Sequence, residues 1–343
     1  MIKRNQIMQF YKPAVSILIA MLWLSVTSAR LSAEEEIKII SINTEGTTLV
    51  YSATKNGRLV FQYYGDYLQD VSAFENREFP AISQTNRDYS YEGYPAFGYG
   101  NTNEPALSVI HADGSISTEL EFTGYEQKNV SDNEIHTVIH LKDKVYDLFV
   151  DFHITAWMSE DVVAQWVEVR NEEDGTVVLK NSYSSFLNLK AQTYYLTHFH
   201  GAWANEMTVV EEKLEPGIKT IESKKGVRTT QTENSAFILS LNAPSQENSG
   251  ECYGGALAWS GNYKMSFQID ERQYLSFLGG INPFMSDYKL NQGERLTTPR
   301  MVLSYSNSGR GKLSRNLHDW ARKYSLQNGF VARPVVLNSW EGA

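Results

Sequence analysis

From about residue 37 to 310 the chain repeats short runs in which apolar and polar side chains alternate. The clearest is Tyr146 to Ala156. Leu148, Val150, Phe152 and Ile154 fall on one side, and Asp147, Asp151, His153 and Thr155 on the other. A period of two predicts a half-buried antiparallel strand. Val162 to Arg170 repeats the pattern. Val177 to Leu179 returns after a polar link containing Asp174-Gly175, which predicts a hairpin. Ala236 to Leu241 is another strand-like run. Tyr253 to Trp259 and Tyr263 to Ile269 flank Ser260-Gly261-Asn262 and predict a second hairpin. Strands this closely spaced predict a mainly β fold, a large antiparallel β-supersandwich with two sheets face to face.

The period changes near the end. Leu313, Leu317, Trp320, Ala321 and Tyr324 recur at helical spacing, with Arg315, Asn316, Asp319 and Arg322 on the other face and Gly329 just beyond. This predicts an amphipathic linker helix within 311–330. Arg333-Pro334 then introduces Val335 to Leu337, followed by Asn338, Ser339, Trp340 and Glu341. A short apolar run ending in polar and aromatic residues reads as the first strand of a (β/α)₈ barrel, whose chemistry gathers at strand C-terminal ends. Residues 331–343 thus read as the start of an incomplete catalytic barrel. Without barrel partners, the segment from about 331 is expected to fray or to lie across the β-domain.

The N-terminus has a different pattern. Lys3, Arg4 and Lys12 precede the uncharged apolar run Ala14 to Val26, and small residues follow at Thr27-Ser28-Ala29 and Leu31-Ser32-Ala33. This reads as a signal peptide over 1–33, cleaved after Ala29 or Ala33, and implies an exported, periplasmic or extracellular protein. An uncleaved anchor is the alternative, although a span wants about 20 apolar residues. The β-domain then covers 34–310.

Composition narrows the chemistry. The chain has 343 residues, 42% hydrophobic and 21% charged, enough for a large core. Its formal net charge of -9 and lack of a basic stripe argue against a nucleic-acid partner. Cys252 is the only cysteine, so no internal disulfide forms; it reads as a buried, unreactive thiol. Aromatics make up 12%, which suits β-strands and also sugar binding. The Gly-, Tyr- and Asn-rich stretch Asp88 to Pro105 reads as a long loop, either functional or packed by its own aromatics. His198 and His200 would lie on one side of a strand, about 6.6 Å apart, yet have no third ligand at characteristic spacing. His136 and His140 would be roughly 13 Å apart, too far to share an ion. No metal and no cofactor are expected. No nucleophile elbow or phosphate-binding glycine loop stands out.

Several segments nevertheless fall in a telling order. They are Leu59-Val-Phe-Gln-Tyr-Tyr-Gly65, Gly98-Tyr-Gly100-Asn-Thr-Asn-Glu-Pro-Ala-Leu107, Gly201-Ala-Trp203-Ala-Asn-Glu206 and Gly250-Glu-Cys-Tyr-Gly254 with Trp259-Ser-Gly-Asn262. Gly280-Ile-Asn-Pro283, Leu290-Asn-Gln-Gly-Glu294 with Thr298-Pro299, Leu313-Ser-Arg315 with His318, and Arg333-Pro334 with Leu337-Asn-Ser-Trp-Glu341 complete the series. Together they resemble the α-galactosidases of glycoside hydrolase family 36.

The resemblance implies a β-supersandwich followed by a (β/α)₈ barrel. It implies a retaining hydrolase that releases terminal α-linked galactose from oligosaccharides of the raffinose and melibiose type. Such enzymes hold two carboxylates about 5–5.5 Å apart, one attacking the anomeric carbon and the other protonating the leaving oxygen. In this family both are barrel aspartates, which would lie beyond Ala343, so no catalytic residue is assigned here. Trp340 matches an aromatic bordering the galactose pocket, or else a rim packing residue. The loop of the family pattern Gly-x-Gly-Asp-x-Arg, which in tetrameric members reaches a neighbouring subunit's pocket, has Asn101 and Asn103 at its charged positions. Asn bonds hydroxyls but lacks charge and the guanidinium fork. Such a loop either has altered preference or no longer touches sugar. Implied partners are galactosides or related oligosaccharides, the protein's own barrel domain and, by analogy with family tetramers, further copies of the chain. Two alternatives remain: a non-catalytic carbohydrate-binding or oligomerisation module, and a lyase or mutarotase on a similar supersandwich.

Overall fold

The computed structural model describes residues 37–75, 92–98, 103–227, 232–337 and 339, all within one compact unit. The expected signal segment, Asn101 and Trp340 lie outside the described residues. Among the described residues nineteen strands form. The first eight are β1 Lys38–Asn43, β2 Thr47–Ala53, β3 Leu59–Asp66, β4 Leu107–Ile110, β5 Leu120–Ser131, β6 Glu134–Asp143, β7 Leu148–Trp157 and β8 Val162–Asn171. Then come β9 Val177–Lys190, β10 Tyr194–Ala202, β11 Asn205–Leu214, β12 Gly217–Ser223, β13 Glu233–Leu241 and β14 Cys252–Leu257. The last are β15 Tyr263–Ile269, β16 Tyr274–Ile281, β17 Tyr288–Leu290, β18 Arg295–Thr297 and β19 Met301–Ser306, followed by helix α1, Gly309–Trp320.

The strands make three antiparallel sheets. The large one runs β11-β10-β13-β14-β19-β8-β7-β6-β5, with β18 also beside β8. The second runs β12-β15-β16-β9-β17, with β4 also on β9, and the third is β1-β2-β3. The smaller sheets each bury a face against the large one. Phe237 of β13 meets Phe267 of β15 and Phe277 of β16, with ring centroids 5.0 and 4.8 Å away. Tyr51 of β2 meets Phe152 of β7 edge-on at 5.8 Å. Such edge-on pairs add to the gain from burial alone.

One buried glutamine ties all three sheets. Gln165 of β8 donates from Nε2 to the Tyr51 hydroxyl at 3.0 Å and accepts the Ser185 hydroxyl of β9 at 2.5 Å. A polar side chain this deep is tolerated because both ends of its amide are engaged.

The alternation in β7 is as predicted: Leu148, Val150, Phe152, Ile154 and Ala156 are fully buried. The two predicted hairpins are not hairpins. β8 and β9 lie in different sheets, and so do β14 and β15. The link 172–176 crosses between layers because side chains pull it across. Asn171 donates from Nδ2 to the carbonyls of Gly175 and Leu290, while Glu173 binds His111 and the Ala112 N–H. Alternation records which side chains face the core, and both layers of a sandwich share one core.

Helix α1 lies on the outer face of the large sheet. Leu317 and Trp320 cover Trp157, Val162, Ala164 and Val302. Gly309 enters the helix at φ 86°, and a β-carbon there would collide with the backbone of Gln246 and Ser249. Lys312 bonds Asp161 at 2.7 Å, and Asp161 also accepts from Thr44 and from the Gly46 N–H. After Trp320 the helix widens into a π-turn, Ala321–Ser325, whose Lys323 binds the buried Glu160. Burial would raise the Glu160 carboxyl, but hydrogen bonds from Lys323, Asn133 and Ser159 outweigh it and hold it below the usual range. Val335–Leu337, predicted as a strand, forms none; these residues are exposed. Among the described residues they join none of the three sheets.

Candidate functional site

The loop predicted over 88–105 is fastened at both feet. On its first side, Gly93 N–H donates to Leu59 O, Phe97 N–H to Leu107 O, and Thr118 N–H to Phe97 O. Gly98 then turns at φ 137°, where a β-carbon would sit 2.7 Å from the Thr118 nitrogen. Only glycine fits that approach.

The second foot is electrostatic. One oxygen of Glu104 lies 2.5 Å from Lys264 Nζ and accepts the Tyr183 hydroxyl at 2.8 Å; the other accepts the Ser266 hydroxyl at 3.0 Å. Burial, and then the Glu104 charge, push the Tyr183 hydroxyl far above its ordinary range, so it remains a donor. Asn181 holds the Pro105 carbonyl from β9 at 2.9 Å.

Asn103, a sequence-predicted contact, stands at this foot. Its Oδ1 accepts from Gln268 Nε2 at 3.1 Å, and Gln268 Oε1 accepts the Glu104 N–H at 3.3 Å. The sheet thus holds the Asn103 side chain through Gln268. Asn101 and Trp340 were predicted with it and lie outside the described residues. Glu104 was missed. A lone Glu before a Pro in a polar loop carries no sequence signal, because its partners come from residues 183, 264 and 266.

The histidine pairs form carboxylate contacts and stacks. His198 Nε2 lies 3.2 Å from Glu212 and His200 Nδ1 lies 2.7 Å from Glu233. Among the described residues no group of three or more His, Cys, Asp or Glu is arranged to hold a metal ion. His136 stacks on His153, and both lie parallel to Trp166, which Arg300 covers from 4.6 Å. His140 is bound to Asp151 at 2.6 Å. Cys252 is fully buried, and burial pushes its thiol up to about 11, which leaves it unreactive. Trp203 sits between β10 and β11 and is 76% exposed.

Comparison with known proteins places this architecture. The glycosyl hydrolase family 36 N-terminal domain matches residues 57–291. The bifunctional alpha-galactosidase/sucrose kinase AgaSK of Mediterraneibacter gnavus is 27% identical over 89% of this chain and 35% of its own length. Alpha-galactosidase Mel36A of Lactobacillus acidophilus is 26% identical over 92% of this chain and 47% of its own. The chain thus spans less than half the length of these relatives. Among solved structures, the galactosidase domain of AgaSK superposes with a TM-score of 0.80 at 25% identity, covering 89% of this chain and 46% of that one. A variant of alpha-galactosidase AgaA from Geobacillus stearothermophilus, in complex with stachyose, gives 0.81 at 24% identity with the same coverage and shows the same fold.

Proposed function

The chain belongs to glycosyl hydrolase family 36, whose N-terminal domain it carries, and from that premise we propose that it is the N-terminal part of an alpha-galactosidase. In this reading the whole enzyme releases terminal α-linked galactose from raffinose-type oligosaccharides with retention. The nucleophile and the acid belong to a barrel domain outside residues 1–343, and Trp340 opens that barrel's sugar pocket. The observation that carries the proposal is the domain match over 57–291 in a chain that spans 35% and 47% of two alpha-galactosidase relatives. The β-domain contributes a scaffold and, through the fastened loop, the amides of Asn101 and Asn103. Two amides in place of Asp and Arg recognise hydroxyls and lack the fork that grips charged groups.

Export and self-association belong to the same reading. Export rests on Lys3, Arg4 and Lys12 before the apolar run 14–26. A stand-alone carbohydrate-binding module is the second reading, favoured by a hydrophobic core built from all three sheets of this chain.

An assay of this chain with a nitrophenyl α-galactoside separates enzyme from scaffold. We expect no turnover. Turnover that co-purifies with the chain would place the catalytic carboxylates within residues 1–343 and overturn the assignment.

A further inference from the structure

A second polar surface lies apart from the loop, in the gap between the two smaller sheets. A cleft of about 340 Å³ opens between β3 and the β9–β16 pair, lined by Tyr63, Asn188, Lys190, Glu251, Tyr253 and Tyr274. That volume falls within the roughly 300–1,000 Å³ of small-ligand sites.

The lining has a chemical bias. Tyr63 and Tyr274 are half-buried on the lining, while Tyr253 is buried and donates its hydroxyl to Tyr64 O at 2.7 Å. Glu251 accepts the Tyr305 hydroxyl at 3.0 Å. The cation of Lys190 is already committed, lying 4.1 Å over the Tyr274 ring and donating to the Arg272 carbonyl. With its lysine occupied and a carboxylate opposite, the cleft does not suit a phosphate or a nucleotide. Rings, an amide and a carboxylate together suit a ligand with apolar ring faces and many hydroxyls.

One atom points further. Asn188 is 8% exposed, and its Nδ2 is buried with no hydrogen-bond partner. A buried amide left unpaired is costly, roughly 1–3 kcal/mol. Small rotation of the side chain toward the cleft would give that donor a ligand oxygen.

The register also links the cleft to the loop. Gln268, which holds Asn103, pairs with Ser276, and Ser276 pairs with Asn188. Directly paired residues point to one face, about 4.8 Å apart per strand. Asn188 therefore stands about 10 Å from Gln268 on the same face.

We propose that the cleft between β3 and the β9–β16 pair is a binding site for a neutral oligosaccharide, with Asn188 donating to a sugar hydroxyl, Tyr63 packing on a sugar ring and the Lys190-capped Tyr274 forming part of the wall. The site goes beyond the galactosidase assignment, since binding is read without turnover and either can fail alone.

The test is titration of the full chain with stachyose, followed by calorimetry and by the side-chain amide resonances of Asn188. We expect millimolar-range binding, with the Asn188 amide pair shifting in step with occupancy. Tyr274→Ala, on the rim, should weaken binding about tenfold. Asn188→Leu keeps the volume, removes the donor and should weaken it by a similar factor. Ile218→Ala, exposed on β12 and outside the cleft lining, should leave affinity unchanged. Circular dichroism confirms that each variant is folded, and Tyr63→Ala replaces any that is not. Three results overturn the proposal: no binding by folded protein at roughly 10 mM stachyose, binding unaffected by every cleft substitution, or binding abolished by Ile218→Ala alone.

Discussion

Strand β7 and the segment Val335–Leu337 have similar apolar content and opposite fates. In β7, Val150 and Phe152 are fully buried, paired to β6 on one side and β8 on the other. Val335, Val336 and Leu337 are 102%, 80% and 90% exposed and form no strand. β-propensity describes how well a side chain fits a pleated, half-buried surface; it supplies no partner. An apolar run becomes a strand where neighbouring backbone donors and acceptors meet it, and here only β7 has them.

The strongest way to break the comparison is to hollow out β7. Phe152 packs edge-on to Tyr51 and against Tyr94 at 5.5 Å, so it joins the large sheet to β2 and to the first foot of the loop. Phe152→Ala should destabilise the chain by about 3–5 kcal/mol, read from the midpoint of urea unfolding at constant slope. A loss under about 1 kcal/mol would mean that the smaller sheets are not anchored on the large one through this ring.

A subtler effect comes from the other face of the same strand. His153 stacks with His136 and Trp166 on the outer side of the sheet. Burial, first, pushes both imidazoles below the ordinary 6.5; Arg300 adds to the shift at His136, and His136 adds to it at His153. Glu126 and Glu134 oppose the shift at His136, and Asp151 and Glu168 oppose it at His153. The unfolded chain therefore binds more protons, and stability rises with pH across this window. The contribution is complete above about pH 6.5 and is lost as pH falls through the folded values. Urea midpoints at pH 7.5 and 5.5 should diverge, and the divergence should shrink in a His136→Gln, His153→Gln double variant. Parallel behaviour of the two proteins would sink this account.

These two faces mark how far the sequence could be read. The inner face of β7 was legible because alternation is local. Leu313, Leu317 and Trp320 were legible for the same reason, at helical spacing, and they do turn toward the sheet. The link 172–176 was misread because sheet membership is decided by distant partners, Leu290 and His111 among them. Glu104 and Asn188 were invisible for a related reason. Each matters through what lies across a sheet from it, and a single sequence carries no trace of that pairing.

The smallest effect belongs to the tail. Val336→Ser removes an apolar, β-favouring side chain, and the same change inside β7 would be expected to cost a few kcal/mol. At position 336 no burial is lost, so stability should stay within about 0.5 kcal/mol of the parent. The backbone amides of 335–337 have no ladder to protect them, and their exchange with solvent should run near the rate of an unstructured peptide, while those of Val150 and Phe152 exchange only through large-scale opening. Slow exchange at 335–337, or a clear penalty for Val336→Ser, would mean that the tail docks somewhere on this chain, and the contrast with β7 would then be one of partner rather than of presence.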